Sequence, residues 1–376
     1  MPAMQPSLPR RPIRPTLRQR FEFRAARLLF SLPAAVQVRL SGRPPVVVDG
    51  CALHPQMQLL LALHHLWHGG LIAELTPDMA RQTFRNDTAT IAGRPIPVGA
   101  VADIAIDSGG TIAARHYAPA ASGPRPLMVY YHGGGFVLGD LDGHDNLCRR
   151  VCRDADMHVL SVDYRLAPEH PFPAAVDDAC AAFRWACANA ARLGATPRVA
   201  VGGDSAGGNL AAVVSQKAMT AGGPAPCAQV LLYPALDRTV ARPSLELFGK
   251  GFFISRADID WYMLQYTGST IAQPDPAQNP LCAKEFSGLP PALIVTAGFD
   301  PLRDEGEAYA DALRQAGVPV VLKRFDGLLH GFCSMATISS ACDAALGEII
   351  AKLRKLIADT KNVAPGSRSP IQQRPV

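Results

Sequence analysis

The chain has 376 residues, of which 48% are hydrophobic and 18% charged, and its formal net charge at pH 7 is +5. This length suits one large α/β domain with an accessory segment, and this composition suits a soluble protein with a substantial core. No apolar run approaches the length of a transmembrane helix, so we expect no stable membrane insertion. Nine cysteines without a CxxC pair predict reduced thiols in a cytoplasmic protein.

The positive charge is concentrated at the N-terminus. Eight arginines and one acidic residue, Glu22, give residues 1–39 a formal charge of +7, and because the whole chain carries +5, residues 40–376 carry −2. Apolar residues recur at helical spacing among these arginines: Leu17, Phe21, Ala25 and Leu28. This pattern would suit a helix lying on an anionic surface, but we favour a solvated or loosely docked extension.

From about residue 96 onward, short β-rich runs alternate with longer helical stretches. Eight runs predict strands, at residues 101–107, 111–117, 127–131, 158–163, 198–201, 229–233, 293–297 and 318–324. The central runs are almost uniformly apolar, which is typical of strands covered on both faces. Helices are predicted at residues 174–193, 303–316 and 338–358. The pattern predicts a doubly wound, mostly parallel eight-stranded sheet flanked by helices.

Residues 45–88 do not follow this alternation. They hold apolar residues at helical spacing, namely Leu53, Met57, Leu60, Leu61 and Trp67, and then a helix N-cap signal at Thr76-Pro77-Asp78. Two helices are too few for an independent core, so we expect them to form a lid over the main domain. The predicted division is a basic extension (1–44, partly disordered), a helical cap (45–90), a catalytic domain (91–360) and a disordered tail (361–376).

Residues 203–207 form a G-x-S-x-G motif around Ser205. The motif follows a short apolar run and precedes a helical stretch, which is the strand, sharp turn and helix of a nucleophile elbow. A side chain at either outer glycine would collide with the neighbouring backbone. About seventy residues earlier stands the HGGG sequence of residues 132–135. Together the two motifs predict a serine hydrolase.

A serine nucleophile needs a base and an acid that orients the base, and both are expected downstream of the elbow. His330 is the only histidine after Ser205, and it follows the last predicted strand. Asp300 follows the preceding strand where its loop leaves the sheet. Asp304 and Glu305 are rivals, but they fall in the first turn of the next helix, where the helix dipole gives them a structural role.

The glycines of the HGGG sequence predict an oxyanion hole. The amides of Gly133 and Gly134 can face a substrate because no Cβ blocks the approach, and the amide of Ala206 lies at the N-terminus of the elbow helix. The three amides would bind the negative oxygen of a tetrahedral intermediate.

Five segments in this order and spacing resemble the hormone-sensitive-lipase family (bacterial family IV) of carboxylesterases in the α/β-hydrolase superfamily. They are His132 to Gly135, Tyr164 to Glu169, Gly203 to Gly207, Asp300 to Glu305 and His330 to Phe332. The resemblance covers residues 45–355 and implies an α/β-hydrolase fold with an N-terminal helical cap. It implies the same triad and the same oxyanion amides as the motifs.

The resemblance also implies a substrate class, the absence of a cofactor and an oligomeric state. It implies hydrolysis of short- to medium-chain acyl esters, a small-molecule ester as substrate and no cofactor. Many members form homodimers through the strand that corresponds to residues 318–324. The resemblance supports a scaffold role for residues 164–169, so Glu169 is not expected to be the catalytic acid.

The sequence gives less support to other functions. His64 and His68 stand four residues apart on a predicted helix, but the glutamate of a metalloprotease and a third ligand are missing, so no metal site is predicted. A non-enzymatic binding protein on this fold would not need His330 with all its partners. Nucleic-acid binding rests only on the arginine-rich N-terminus and is not predicted. Amidase and lipase activities use the same triad and stay open.

Overall fold

A computed structural model describes residues 16–68 and 72–360, although not the side chains of residues 66–68. Its helices are α1 Leu17–Phe30, α2 Ala34–Leu40, α3 Pro55–His68, α4 Pro77–Ile91, α5 Asp145–Ala155, α6 Ala174–Asn189, α7 Ala206–Ala221, α8 Pro243–Phe248, α9 Arg256–Thr267, α10 Arg303–Gln315 and α11 Ser340–Asp359. Its strands are β1 Val47–Val48, β2 Cys51–Ala52, β3 Ala100–Asp107, β4 Thr111–Ala118, β5 Arg125–Tyr131, β6 His158–Asp163, β7 Ala195–Asp204, β8 Gln229–Leu232, β9 Ala292–Phe299 and β10 Val320–Leu329.

Eight strands form one sheet in the order β10, β9, β8, β7, β5, β6, β4, β3. The pairs β3 with β4 and β4 with β6 are antiparallel, and all other pairs are parallel. All residues of β8 and β9 are buried, as their almost uniformly apolar sequences predict for strands with helices on both faces. The predicted α/β-hydrolase fold is confirmed.

The parallel strands bring their carboxyl ends to one edge of the sheet. Ser205 follows β7, Asp300 follows β9 and His330 follows β10, so three distant parts of the sequence meet there. In such sheets the crevice beyond the carboxyl ends of the strands is where ligands bind.

Two predicted elements differ from the observed ones. Strand β10 runs to Leu329, five residues past the predicted end, because a register shift after Phe325 lets Leu329 pair with Phe299 of β9. The predicted helix 174–193 ends as α6 at Asn189, and Gly194, with φ +74°, closes a separate 3₁₀ turn behind it.

The N-terminal helices α1 and α2 pack on the cap helices α3 and α4. The carbonyl of Phe30 accepts hydrogen bonds from the Gln37 and Gln56 side chains, at 2.8 and 2.7 Å. Ala26 and Phe30 are buried. Residues 17–40 are therefore firmly docked where we had favoured a loose extension, and the boundary predicted at residue 44 divides them from the helices they contact. The predicted tail, residues 361–376, lies outside the described residues.

The cysteines and the helices were both subjects of the sequence predictions. All nine cysteines lie in the described ranges, and each of them is a free thiol. Among the described helices, none is both long and apolar enough to cross a membrane.

Candidate active site

Ser205 lies in a sharp turn between β7 and α7. Its backbone has φ +55° and ψ −118°, a conformation that residues with a side chain rarely adopt. A Cβ on Gly207 would lie 1.9 Å from the Tyr131 carbonyl oxygen, and one on Gly203 would lie 2.4 Å from the backbone of Gly207. The two outer glycines of the motif are thus required by close backbone contacts, and the turn presents the serine hydroxyl at the sheet edge.

The three side chains predicted as nucleophile, base and acid lie in one hydrogen-bonded chain. His330 Nε2 lies 3.0 Å from Ser205 Oγ, and His330 Nδ1 lies 2.8 Å from Asp300 Oδ2. Asp300 is fully buried, and its Oδ1 accepts a hydrogen bond of 2.8 Å from the Leu302 amide. With its proton on Nδ1, the imidazole can accept the serine proton at Nε2.

The two rival acids have other partners. Asp304 accepts hydrogen bonds of 2.8 Å from the Ser244 amide and from Arg303 Nε. Glu305 is buried and accepts a hydrogen bond of 2.7 Å from the Leu236 amide. Burial raises the pKa of Glu305 to about 8, above the ordinary 4.5, so this carboxyl is largely protonated at pH 7.

The amide of Gly133 is not free to bind an oxyanion, which corrects the sequence prediction. It donates to Asp204 Oδ1 at 2.9 Å, inside the protein. A Cβ on Gly133 would lie 2.4 Å from Asp204 Oδ2, so glycine is needed here for contact with the carboxylate.

The neighbouring amides of Gly134, Gly135 and Ala206 remain available. In the described part of the chain, no protein acceptor is found for any of these three N–H groups. Gly134 and Gly135 have φ of +120° and +62°, and all three residues line the cavity above Ser205. The sequence prediction does not include Gly135, although this residue is the third glycine of the HGGG sequence.

Asp204 is the centre of a buried polar cluster behind residues 132–135, hereafter the oxyanion loop. Its Oδ1 also accepts a hydrogen bond of 2.6 Å from the Tyr130 hydroxyl, and His144 Nε2 lies 3.5 Å away. Burial alone would raise the pKa of Asp204, but His144 and the Tyr130 hydrogen bond hold it below its ordinary value. The cluster fixes the loop to the end of β7, directly before the predicted nucleophile.

A cavity of about 230 Å³ opens over Ser205 and His330. Its walls are mostly apolar and come from the cap as well as the catalytic domain, with Phe84 and Ile91 from α4 and Tyr262 and Met263 from α9. The sequence reasoning missed α9 as a wall. The capping box at its start, in which Ser255 and Asp258 exchange hydrogen bonds, was the available signal for this helix.

Glu169 and His64 contact other side chains outside the predicted triad. Arg81 of α4 binds Glu169 with two hydrogen bonds, at 2.7 and 2.6 Å. The His64 ring lies against Phe253, with 5.3 Å between centroids, while the His68 side chain lies outside the described residues. Within the described ranges, no three histidine, cysteine or acidic side chains are grouped so as to hold a metal ion.

Part of the chain matches a known protein family. Residues 128–334 match the family model described as the alpha/beta hydrolase fold, a stretch that includes the oxyanion loop, the elbow and the predicted triad. The chain belongs to the hormone-sensitive-lipase-like family of α/β-hydrolases.

Several relatives of this hydrolase are named as ester hydrolases. It is 49% identical to the carboxylic ester hydrolase LipN of Mycobacterium tuberculosis over 332 residues, covering 86% of this chain and 88% of LipN. It is 38% identical to an ethyl acetate hydrolase of Pseudomonas putida, covering 75% and 91%. The structure of an ester hydrolase from the Lake Arreo metagenome superposes with a TM-score of 0.78 at 40% identity, covering 81% and 99%.

Proposed function

We propose that this hydrolase is a serine carboxylesterase that cleaves small esters of short- to medium-chain acids. The observation that carries the proposal is the contact of 3.0 Å between Ser205 Oγ and His330 Nε2, with Asp300 bound to the other ring nitrogen. Hydrogen-bonded nucleophile, base and acid beside free backbone amides are what acyl transfer requires.

Acylation begins when Ser205 Oγ attacks the ester carbonyl carbon and His330 accepts the hydroxyl proton. The carbonyl π electrons move to oxygen, and the amides of Gly134, Gly135 and Ala206 donate to this oxyanion. When the tetrahedral intermediate collapses, the bond to the alcohol oxygen breaks and His330 returns the proton to the leaving alcohol. Asp300 stays ionised and stabilises the imidazolium.

Deacylation repeats these steps with water as the nucleophile. His330 removes a proton from water, the resulting hydroxide adds to the acyl carbon, and Ser205 leaves with the proton from His330. The carboxylic acid departs and the hydroxyl of the serine is restored. The residues present complete both half-reactions.

The dimensions of the cavity support small substrates. Its 230 Å³ is below the roughly 300–1,000 Å³ that is usual for pockets holding drug-sized ligands. Apolar walls favour the acyl chain over a charged group, and one relative is named for ethyl acetate, a short ester.

The test is hydrolysis of p-nitrophenyl esters from acetate to palmitate by the wild type and by Ser205→Ala. We expect turnover to peak at short chains and to be lost in the variant, while the melting temperature of the variant stays near that of the wild type. A maximum at palmitate would favour a lipase. Absence of ester turnover from folded wild type, together with cleavage of acyl p-nitroanilides, would favour an amidase.

A further inference from the structure

Helix α1 exposes apolar side chains on the face that points away from the protein. Leu17, Phe21 and Leu28 are 82%, 73% and 67% exposed. Because an α-helix advances about 100° per residue, these three side chains fall within an arc of about 40°. Three large apolar side chains on one arc form a stripe, which differs from the scattered exposed residues common on protein surfaces.

The opposite face of α1 is occupied, so the stripe cannot turn inward. Ala26 and Phe30 are buried on that face, and the Phe23 ring packs against the backbone at Gly93. The Gln56 side chain binds the last carbonyl of the helix, that of Phe30, at 2.7 Å. The helix is therefore held with its apolar stripe toward the outside.

Arginines line one side of the stripe. Arg24 lies at the edge of the same arc, with Arg20 and Arg27 next to it around the helix, and all three are exposed. Among the described residues, neither Arg20 nor Arg24 has an acidic partner, whereas Arg18 pairs with Glu22. Upstream, residues 1–15 add three further arginines and no acidic residue in the sequence.

We propose that this face of α1, hereafter the α1 stripe, docks on a lipid bilayer that carries anionic headgroups. The apolar side chains would enter the boundary between headgroups and acyl chains, and the arginines would bind the headgroup phosphates. Two copies of the chain would bring like charges together, and a nucleic acid would leave the three apolar side chains in water. An anionic bilayer accommodates both the apolar side chains and the arginines.

Docking would also place the cavity close to the bilayer. Helix α1 packs on α4, and α4 also contributes Phe84, Thr88 and Ile91 to the cavity wall. The α1 stripe contains no residue of the proposed triad, so lipid binding can be tested independently of the proposed function.

The experiment measures sedimentation of the full chain with vesicles. One set is an equal mixture of phosphatidylcholine and phosphatidylglycerol, and the other is phosphatidylcholine alone. We expect binding to the anionic set only, weakened by added salt. Leu17→Ser with Phe21→Ser, and separately Arg20→Gln with Arg24→Gln, should each lower the partition coefficient by at least about tenfold.

Matched controls remove equivalent side chains elsewhere. Ile271→Ser with Val240→Ser removes two exposed apolar residues, and Arg192→Gln with Arg354→Gln removes two exposed arginines. We expect less than about a twofold change in partition for both pairs. Melting temperature and hydrolysis of p-nitrophenyl acetate should match the wild type in all four variants, and loss of hydrolysis throughout would count against the proposed function alone.

Three results would overturn the inference. The first is failure of the wild type to sediment with the anionic vesicles. The second is an equal loss of partition in the control pairs. The third is conversion of a dimer to a monomer by the stripe variants in analytical ultracentrifugation with vesicle binding unchanged, which would assign the face to a second copy of the chain.

Discussion

Asp204 accepts a hydrogen bond of 2.9 Å from the amide of Gly133, and this contact joins the oxyanion loop to the end of the strand that precedes Ser205. Asp204 precedes Ser205 directly, so one carboxylate sets the distance between the loop and the attacking oxygen. We therefore regard Asp204 as a positioning residue for the reaction proposed above.

Asp204→Ala should lower kcat by about 10² with a much smaller change in KM, because the amides that follow Gly133 lose their alignment on the oxyanion. Steady-state kinetics on p-nitrophenyl acetate measures both constants. Tyr130→Phe is the matched control, since it removes one donor to Asp204 and leaves the Gly133 contact in place. A kcat unchanged in Asp204→Ala would show that the loop is aligned by other contacts.

Asp300→Asn should lower kcat by about 10⁴ if Asp300 fixes the tautomer of His330. The asparagine keeps the size of the side chain but favours the wrong ring nitrogen for the proton. Asp304→Asn, four residues further along the chain, should change kcat by less than about tenfold because Asp304 binds Ser244 and Arg303. A larger loss in Asp304→Asn than in Asp300→Asn would reverse the assignment of the acid.

Glu305→Gln should stabilise the protein increasingly as the pH rises from about 5 to 8. The pKa of the buried carboxyl is about 8 in the folded chain, against an ordinary value of 4.5. Between these values the folded state binds the extra proton, so the free energy of unfolding of the wild type falls as the pH rises. Urea unfolding at both ends of this range should show a gain of roughly 2–4 kcal/mol for the variant at pH 8 and little at pH 5. An equal gain at both pH values would contradict a raised pKa.

Glu169→Gln should cost less than about 1 kcal/mol at pH 7, because the Glu169 side chain is 53% exposed and solvent screens its pair with Arg81. The hydrogen bonds from Arg81 lower the pKa of Glu169 to about 2. The pair therefore stabilises the fold above pH 4.5, and this contribution is lost as the pH falls toward 2. Thermal unfolding of both proteins from pH 7 to pH 3 should show their difference shrinking, and a constant difference would assign the loss to packing.

The sequence predicted the parts of the fold that local pattern determines. Almost uniformly apolar runs such as β9 indicated the central strands. The glycines at 203 and 207 indicated the elbow, because any larger residue at either position would collide with the neighbouring backbone. The placement of His330 followed from chain order, since it is the only histidine after Ser205.

What the sequence did not predict depends on contacts between distant residues. The engagement of the Gly133 amide by Asp204 requires the path of the loop past β7, which no local pattern encodes. The docking of α1 depends on Gln56 reaching the Phe30 carbonyl across 26 positions. The wall formed by α9 escaped notice because its residues face a cavity that exists only once the cap has closed over the sheet.

The left-handed backbone at Ser205 fixes where the nucleophile stands but not which side chain it is. Strain at φ +55° is borne by the turn and its two glycines, so a cysteine could take the position without a new backbone cost, whereas a β-branched threonine would crowd it. A protein engineer can therefore exchange the attacking atom in this scaffold, but cannot move it by one residue along the chain.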